Sequence, residues 1–265
     1  MHINVNAYKG LPVTYNKGLY RLRFKLKESN MLIVSDNIKA LKLALNSTWH
    51  HRRLLEDYIR RDLTFLYALN PVKVKPGMPT IVKLATEAAE KAEVGPMAAI
   101  PGALAELVAR DIKPYSRLTA MVENGGEIFA YSKKPLNIGV YAGFSPVSGR
   151  FGFKLEAEDF PIGIATSSAT VSHALSFGEA DAVIVFSDSS ALADAAATAI
   201  CNSVRGEDVE ASVQGGLEKA EDIEGLRGVL IVRNNYVGIV GKLPKFLNIK
   251  GNLEEMFKAG KVVLL

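Results

Sequence analysis

The stretch Ser189-Ser190-Ala191-Leu192-Ala193-Asp194-Ala195-Ala196-Ala197-Thr198-Ala199-Ile200-Cys201-Asn202 is the most informative part of this sequence. Between Ser189 and Val204, Asp194 is the only charged residue. A solvent-exposed helix normally carries several charges, so the pattern predicts a buried helix whose alanines allow close packing. Asp194, Thr198 and Asn202 recur at intervals of four and therefore form one polar stripe on that helix.

A buried carboxylate at Asp194 needs a partner, because desolvating an unpaired charge costs several kcal/mol. One interpretation is a metal site, since the Asp194 carboxylate and the Thr198 hydroxyl are hard oxygen ligands that suit Mg²⁺. The other is purely structural. In it, Asp194 caps a neighbouring helix or pairs with an arginine, and Thr198 bonds back to a carbonyl. Periodicity alone leaves both open.

A glycine pair between two strands is a second candidate for ligand binding. The segment Asn124-Gly125-Gly126-Glu127 places an amide and a carboxylate on either side of two residues without side chains. Consecutive glycines let the backbone approach a ligand, and their N–H groups can meet a phosphate or a ring carbonyl. The alternative is an ordinary hairpin turn, because Asn-Gly is a common turn signal.

A run of hydroxyl side chains follows a predicted strand, Ile162–Ala165, and forms a third candidate. Thr166, Ser167 and Ser168 offer several small hydrogen-bonding groups to a ligand. His173 follows shortly after and is a candidate catalytic base, with a structural histidine as the alternative.

Composition limits the class of protein. The chain has 265 residues, 48% of them hydrophobic, which is enough for a sizeable core. With Cys201 as its single cysteine, no leader pattern and no apolar run near 20 residues, we expect a cytoplasmic protein without a membrane span. Residues 1–83 carry a net charge of +10 and the remainder −6. The basic side chains alternate with apolar ones from Arg21 to Lys27, as on a half-buried strand, so we expect no nucleic-acid partner.

The order of predicted elements indicates an α+β fold. A strand pair, a set of helices, further strands, a helix and a last strand pair predict two intertwined β–α halves in one domain, residues 1–265. A long helical stretch begins at Asp36, with an interruption expected near Asn46-Ser47 and surface positions expected for His50 and His51. The small residues of Pro96–Ala103 predict close packing against backbone or a ligand.

Three of these segments, in this order, resemble the ApbE family, flavin transferases that move FMN from FAD onto a protein threonine. Asn124–Glu127 resembles the family's flavin-pocket segment, and Ala165-Thr166-Ser167-Ser168 resembles its Ala-Thr-Ser-Gly turn. Ala193–Ala199 resembles its Ala-Asp-Ala-x-x-Thr-Ala helix. The resemblance implies mainly antiparallel sheets in a duplicated, T-fold-like arrangement. It also implies that Asp194 and Thr198 hold Mg²⁺, and it makes FAD or FMN the expected cofactor.

The sequence departs from the transferases in two places and is more similar to an uncharacterised branch of the superfamily. Ala99–Ala103 stands where they have Gly-x-x-Lys-Gly-Tyr, and the segment from Ser172 to Gly178 lacks their His-x-x-Asp-Pro-x-Thr-Gly. These departures argue against flavin transfer. We therefore predict a protein that binds an anionic or nucleotide-like small molecule with a divalent cation, in a cleft between the halves, as a monomer or homo-oligomer. The alternative is a non-catalytic binding or carrier protein in sulfur assimilation and homocysteine formation, for which Cys201 would have to be exposed.

Overall fold

The computed structural model describes residues 11–140, 149–168 and 178–250, together with the backbone of residues 263 and 264. Its main feature is a nine-stranded sheet in which every neighbouring pair is antiparallel. In sheet order the strands are β1 (Val13–Asn16), β2 (Leu19–Leu26), β3 (Ser29–Ser35), β4 (Thr119–Asn124), β5 (Glu127–Ser132), β8 (Ile162–Ser167), β9 (Ala182–Ser187), β10 (Leu226–Arg233) and β11 (Tyr236–Gly241).

A smaller sheet and a layer of helices complete the fold. The smaller sheet has the order β12 (Lys245–Asn248), β7 (Phe151–Leu155), β6 (Leu136–Gly139) and β13 (Val263–Leu264). The helices are α1 (Ile38–Ile59), α2 (Leu63–Tyr67), α3 (Thr80–Ala92), α4 (Ile100–Ile112), α5 (Ser190–Ser203) and α6 (Val209–Glu221), with 3₁₀ turns at Pro96–Ala99, Lys113–Tyr115 and Ala157–Asp159.

The large sheet repeats one pattern twice, which confirms the predicted fold class. In the first half, α1–α4 lie between the pairs β2–β3 and β4–β5 in the chain. In the second half, α5 and α6 lie between β8–β9 and β10–β11. The halves join where β5 pairs with β8.

The two faces of the large sheet bury separate cores, because successive side chains of a strand point to opposite faces. Ile33 and Val122 belong to the core shared with the helices, whereas Leu32 and Met121 belong to the core shared with the smaller sheet. An edge-to-face contact between aromatic rings ties the two sheets together, with the centroids of Phe153 and Phe186 4.9 Å apart.

Helix α5 is buried over most of its length, as its missing charges predict. Every residue from Ser190 to Cys201 is buried except Thr198, which is half-buried. Ser189 caps its first turn by accepting a hydrogen bond from the N–H of Leu192. The helix packs on β8 and β9 and against α3, α4 and α6, so it is central in the helical layer.

Two expectations about the first half are wrong. Helix α1 runs from Ile38 to Ile59 without a break at Asn46-Ser47. His51 is buried rather than exposed, and its Nε2 lies 3.0 Å from Oδ2 of Asp111 on α4, whereas His50 is exposed as expected. Ser47 donates to the same oxygen at 2.6 Å, so polar contacts hold α1 to α4.

The lengths and hydropathies of the helices bear on whether the chain crosses a membrane. No single helix in the described ranges is long and apolar enough to cross a bilayer. Only α3 and the segment Pro96–Tyr115 taken together reach those values, and a bend of 108° separates them.

Candidate functional site

The Asp194 carboxylate lies at the N-terminal end of α4. Asp194 is 8% exposed, and its Oδ2 accepts a hydrogen bond of 2.8 Å from the backbone N–H of Gly102. Gly102 is in the first turn of α4, where N–H groups have no partner within the helix. The positive end of the helix dipole favours a negative charge at this position. Asp194 therefore caps a neighbouring helix, one of the two structural roles that its sequence context leaves open.

Glycine lets α4 approach α5 this closely. A Cβ atom at Gly102 would lie 2.2 Å from the carbonyl oxygen of Ser190 and 2.8 Å from the Cβ of Asp194. Gly163 on β8 serves the same purpose from the sheet side, since its Cβ would lie 2.3 Å from the backbone nitrogen of Ser190. The close packing predicted for Pro96–Ala103 is thus present.

The glycine pair forms a hairpin turn, the structural alternative for this segment, and the turn lies beside the same helix end. Asn124 pairs with Glu127 across the turn, and Gly125 and Gly126 have φ values of +74° and +122°. The Asn124 side chain donates a hydrogen bond of 3.1 Å to the carbonyl of Pro101. This bond joins the turn to the first residues of α4.

A second buried carboxylate, Glu127, lies close enough to Asp194 for the two to repel each other electrostatically. Burial is the main cause that raises the pKa of Glu127 well above its usual range, and the charges of Asp194 and Glu123 raise it further. Burial likewise raises the pKa of Asp194, and the Gly102 N–H offsets only part of this effect. Among described residues, no side chain donates a hydrogen bond to either carboxylate.

Glu123 is the residue of this region that the sequence analysis missed. Its Oε1 accepts a hydrogen bond of 3.1 Å from the N–H of Gly126, which fixes the turn. Burial raises the pKa of Glu123 to about 7, against the opposing effect of Arg23 on β2. Its side chain points to the smaller sheet, on the face opposite Glu127. A carboxylate directly after the apolar residues Ala120–Val122, and still inside β4, is the signal that could have identified it.

The hydroxyl run divides between the two faces of the sheet. β8 continues through Thr166 and Ser167 instead of ending at Ala165, so these residues alternate. Ser167 is half-buried and lies on the helix side, as Asp194 does, whereas Thr166 points toward the smaller sheet. The Thr166 Oγ1 is buried and has no partner among the described residues. Ser168 follows, and is buried.

Thr198 lies one turn beyond Asp194 on α5, as the spacing requires. In the described ranges, no three His, Cys, Asp or Glu side chains cluster in a way that could hold a metal ion. A cation at Asp194 would therefore use hydroxyl, carbonyl, water or ligand oxygens beside one or two carboxylates. Mg²⁺ accepts such an all-oxygen set, so the residues present fit it.

The two remaining candidates are His173, as a catalytic base, and Cys201, as a sulfur carrier. His173 lies outside the described residues, and its catalytic role stays a prediction. Cys201 is fully buried on α5, which argues against the exposed sulfur that a persulfide carrier needs.

The fold and the site define an α+β protein with a duplicated antiparallel sheet and a buried aspartate beside a helix N-terminus and a Gly-Gly turn. Solved structures of ApbE proteins share this fold. The Pseudomonas stutzeri flavinyl transferase ApbE superposes with a TM-score of 0.54 at 12% identity, over 87% of this chain and 94% of that one. The ApbE protein of Thermotoga maritima gives 0.53 at 14% identity, over 92% and 99%.

Sequence comparison then places the chain within this class. The family model described as AbpE bacteria matches residues 13–231, and the chain belongs to that family. It is 44% identical over 230 residues to a UPF0280 protein of Methanocaldococcus jannaschii, covering 86% of this chain and 93% of that protein. It is 39% identical over 236 residues to a UPF0280 protein of Methanopyrus kandleri, covering 88% and 95%.

Proposed function

We propose that this chain binds a small anionic or nucleotide-like molecule together with a divalent cation. Asp194 and Thr198 would hold the cation, and the turn Asn124–Glu127 would contact the ligand. The observation that carries the proposal is the burial of two neighbouring carboxylates, Asp194 and Glu127, without a cationic side chain bonded to either in the described ranges.

The electrostatics of this pair favour a bound cation. Two carboxylates in a water-poor space repel each other, and each must either take up a proton or meet a positive charge. The Asp194 Oδ2 is already engaged by Gly102, whereas no described residue donates a hydrogen bond to Oδ1. A hard divalent cation would meet Oδ1 on one side and ligand oxygens on the other.

The ligand class follows from the cation. The N–H groups of Gly102, Gly125 and Gly126 are already bonded within the protein. A ligand would therefore be held through the cation, which favours phosphate or carboxylate oxygens. A nucleotide provides phosphate oxygens that can share the cation. Ser167, on the same face of the sheet as Asp194, is placed to add a hydroxyl.

Flavin nucleotides are the first ligands to test, because the similar solved structures are flavin transferases by name. Flavin transfer itself is not proposed. In this chain Ala99–Ala103 forms the start of α4, where the N–H of Gly102 donates to Asp194 and the carbonyl of Pro101 accepts from Asn124. The segment therefore has a packing role, and it supplies neither a lysine nor an aromatic ring.

Calorimetric titration of FAD, with and without Mg²⁺, tests the proposal. We expect binding that requires Mg²⁺ in the wild type and is lost in Asp194→Asn, which keeps the side chain's shape. The matched control is Asp222→Asn, because Asp222 is exposed at the end of α6. Equal binding by both variants would exclude Asp194 from the site. Absence of Mg²⁺-dependent binding by FAD, FMN and simple nucleotides alike would refute the nucleotide proposal.

A further inference from the structure

A pocket lies at the other end of α4, away from Asp194. It is bounded by the 3₁₀ turn Lys113–Tyr115, the first residues of β4, the last residues of β5 and the Phe160-Pro161 segment. Gly102 and Lys113 mark the two ends of α4, and at 1.5 Å per residue they lie roughly 16 Å apart. The pocket is therefore separate from the Asp194 site.

Three basic side chains surround this pocket: Lys113, Arg117 and Lys133. All three are exposed, and none forms an ion pair with a described residue. The C-terminal end of α4 favours one cation nearby through its dipole, but it does not account for three.

Asp36, the acidic residue that contacts the backbone of the pocket, already accepts hydrogen bonds from that backbone. Asp36 accepts hydrogen bonds from three consecutive N–H groups, those of Arg117, Leu118 and Thr119, at 3.1, 3.0 and 3.0 Å. These bonds lower the pKa of Asp36 and fix the loop that carries Arg117. The three cations thus outnumber the acid beside them, and the loop that carries Arg117 is held in place.

Aromatic side chains form the walls. The Lys113 ammonium lies 5.5 Å from the centre of the Tyr131 ring, which holds its charge beside the pocket. Phe160 and Pro161 line the other side. Arg227 fixes this wall by donating hydrogen bonds of 2.5 and 2.7 Å to the carbonyls of Asp159 and Pro161.

We infer that this pocket binds a small phosphate monoester. Three cations suit a phosphate dianion better than they suit a carboxylate, which carries a single charge. The guanidinium fork of Arg117 fits two phosphate oxygens. The carbon skeleton would lie between Tyr131 and Phe160. The volume of about 160 Å³ is below the roughly 300 Å³ at which sites for drug-sized ligands begin, so the ligand is of sugar-phosphate size.

The test is a calorimetric titration of the full chain with ribose 5-phosphate and with inorganic phosphate. In the double variant Arg117→Gln/Lys133→Gln we expect affinity for ribose 5-phosphate to fall about tenfold or more. The matched control is Lys42→Gln/Arg205→Gln, which removes the same charge from exposed positions elsewhere and should change affinity less than about twofold. Asp194→Asn should leave this binding unchanged, which separates the result from the function proposed above.

Three outcomes would overturn the inference. One is the absence of ribose 5-phosphate binding up to roughly 10 mM. Another is an equal loss of ribose 5-phosphate affinity in the pocket double variant and in the control double variant. The third is tighter binding of a short single-stranded oligonucleotide that the pocket variant weakens, with a steep salt dependence, which would assign the pocket to nucleic acid. Tyr131→Leu provides a further check, because it should weaken ribose 5-phosphate more than inorganic phosphate if the sugar contacts the ring.

Discussion

At the scale of single residues, the carboxyl of Asp194 holds a proton or a cation over a range of pH in which an exposed aspartate would be ionised. Burial removes water from the charged form, and the one hydrogen bond from Gly102 compensates only in part. Burial also raises the pKa of the neighbouring Glu127, and the charge of Asp194 raises it further. A change at either residue should therefore alter how stability depends on pH.

The first prediction concerns this pH dependence. The unfolded chain ionises Asp194 near pH 3.8, whereas burial raises its pKa in the folded protein to about 8. Between these values the folded state binds the extra proton, so stability falls as pH rises, by up to about 1.4 kcal/mol per pH unit for one proton. In buffer without divalent cations, Tm should fall by about 2–4 °C for each kcal/mol lost.

Asp194→Asn should flatten this slope, because the amide does not titrate. Thermal unfolding followed by circular dichroism at several values between about pH 5 and pH 8 measures the effect. Asp222→Asn, at an exposed position, should keep the wild-type slope. The same slope in Asp194→Asn and the wild type would mean that Asp194 does not hold the proton.

At the scale of elements, the approach of α4 to α5 depends on a glycine. In Gly102→Ala, the new Cβ would meet the backbone of Ser190 at 2.2 Å, and backbone cannot move aside cheaply. We expect a loss of about 1–3 kcal/mol or more from overpacking, although alanine favours helix. Chemical denaturation with urea measures the change in the free energy of unfolding.

Gly215→Ala in α6 is the matched control. Its nearest contact would be the Ser203 carbonyl oxygen at 3.9 Å, an ordinary distance. Here we expect a gain of about 0.5–1 kcal/mol, because alanine loses less backbone entropy in a helix. If Gly102→Ala also proved stabilising, the close contact between α4 and α5 would be disproved.

The sequence predicts elements better than it predicts their partners. The burial of α5 and the strand–helix–strand order of each half follow from local charge and periodicity, and both are confirmed. The Asp194–Gly102 bond joins residues that are 92 positions apart and uses a backbone N–H, which no side-chain pattern marks. For the same reason His51 looks exposed in sequence until Asp111 is brought beside it.

The hydroxyl run shows how one boundary changes a site. The apolar pattern ends at Ala165, but pairing with β9 extends β8 to Ser167. Because a strand alternates its faces, this extension turns Thr166 away from the side on which Asp194 lies. Thr166 and Ser167 thus belong to different faces, although their neighbouring positions predict a common role.

At the scale of the whole molecule, the two halves share their sheet and their helical core. β5 pairs with β8 across the junction, and α5 of the second half packs against α3 and α4 of the first. Residues of both halves, such as Leu104 and Ile200, belong to one hydrophobic cluster. The prediction of a single domain over residues 1–265 can therefore be tested by cooperativity.

We expect both halves to unfold in a single transition. Trp49, the only tryptophan, reports on α1 in the first half. A variant with Trp49→Phe and Tyr236→Trp would report on β11 in the second, since Tyr236 is exposed and tolerates a larger ring. Fluorescence of each protein in urea should give a midpoint that coincides with its own far-UV circular dichroism, because neither half can separate without exposing the shared core. If the fluorescence midpoint of one protein lay above its circular dichroism midpoint and that of the other lay below, the halves would be independent folding units. A cleft between them would then be free to open and close.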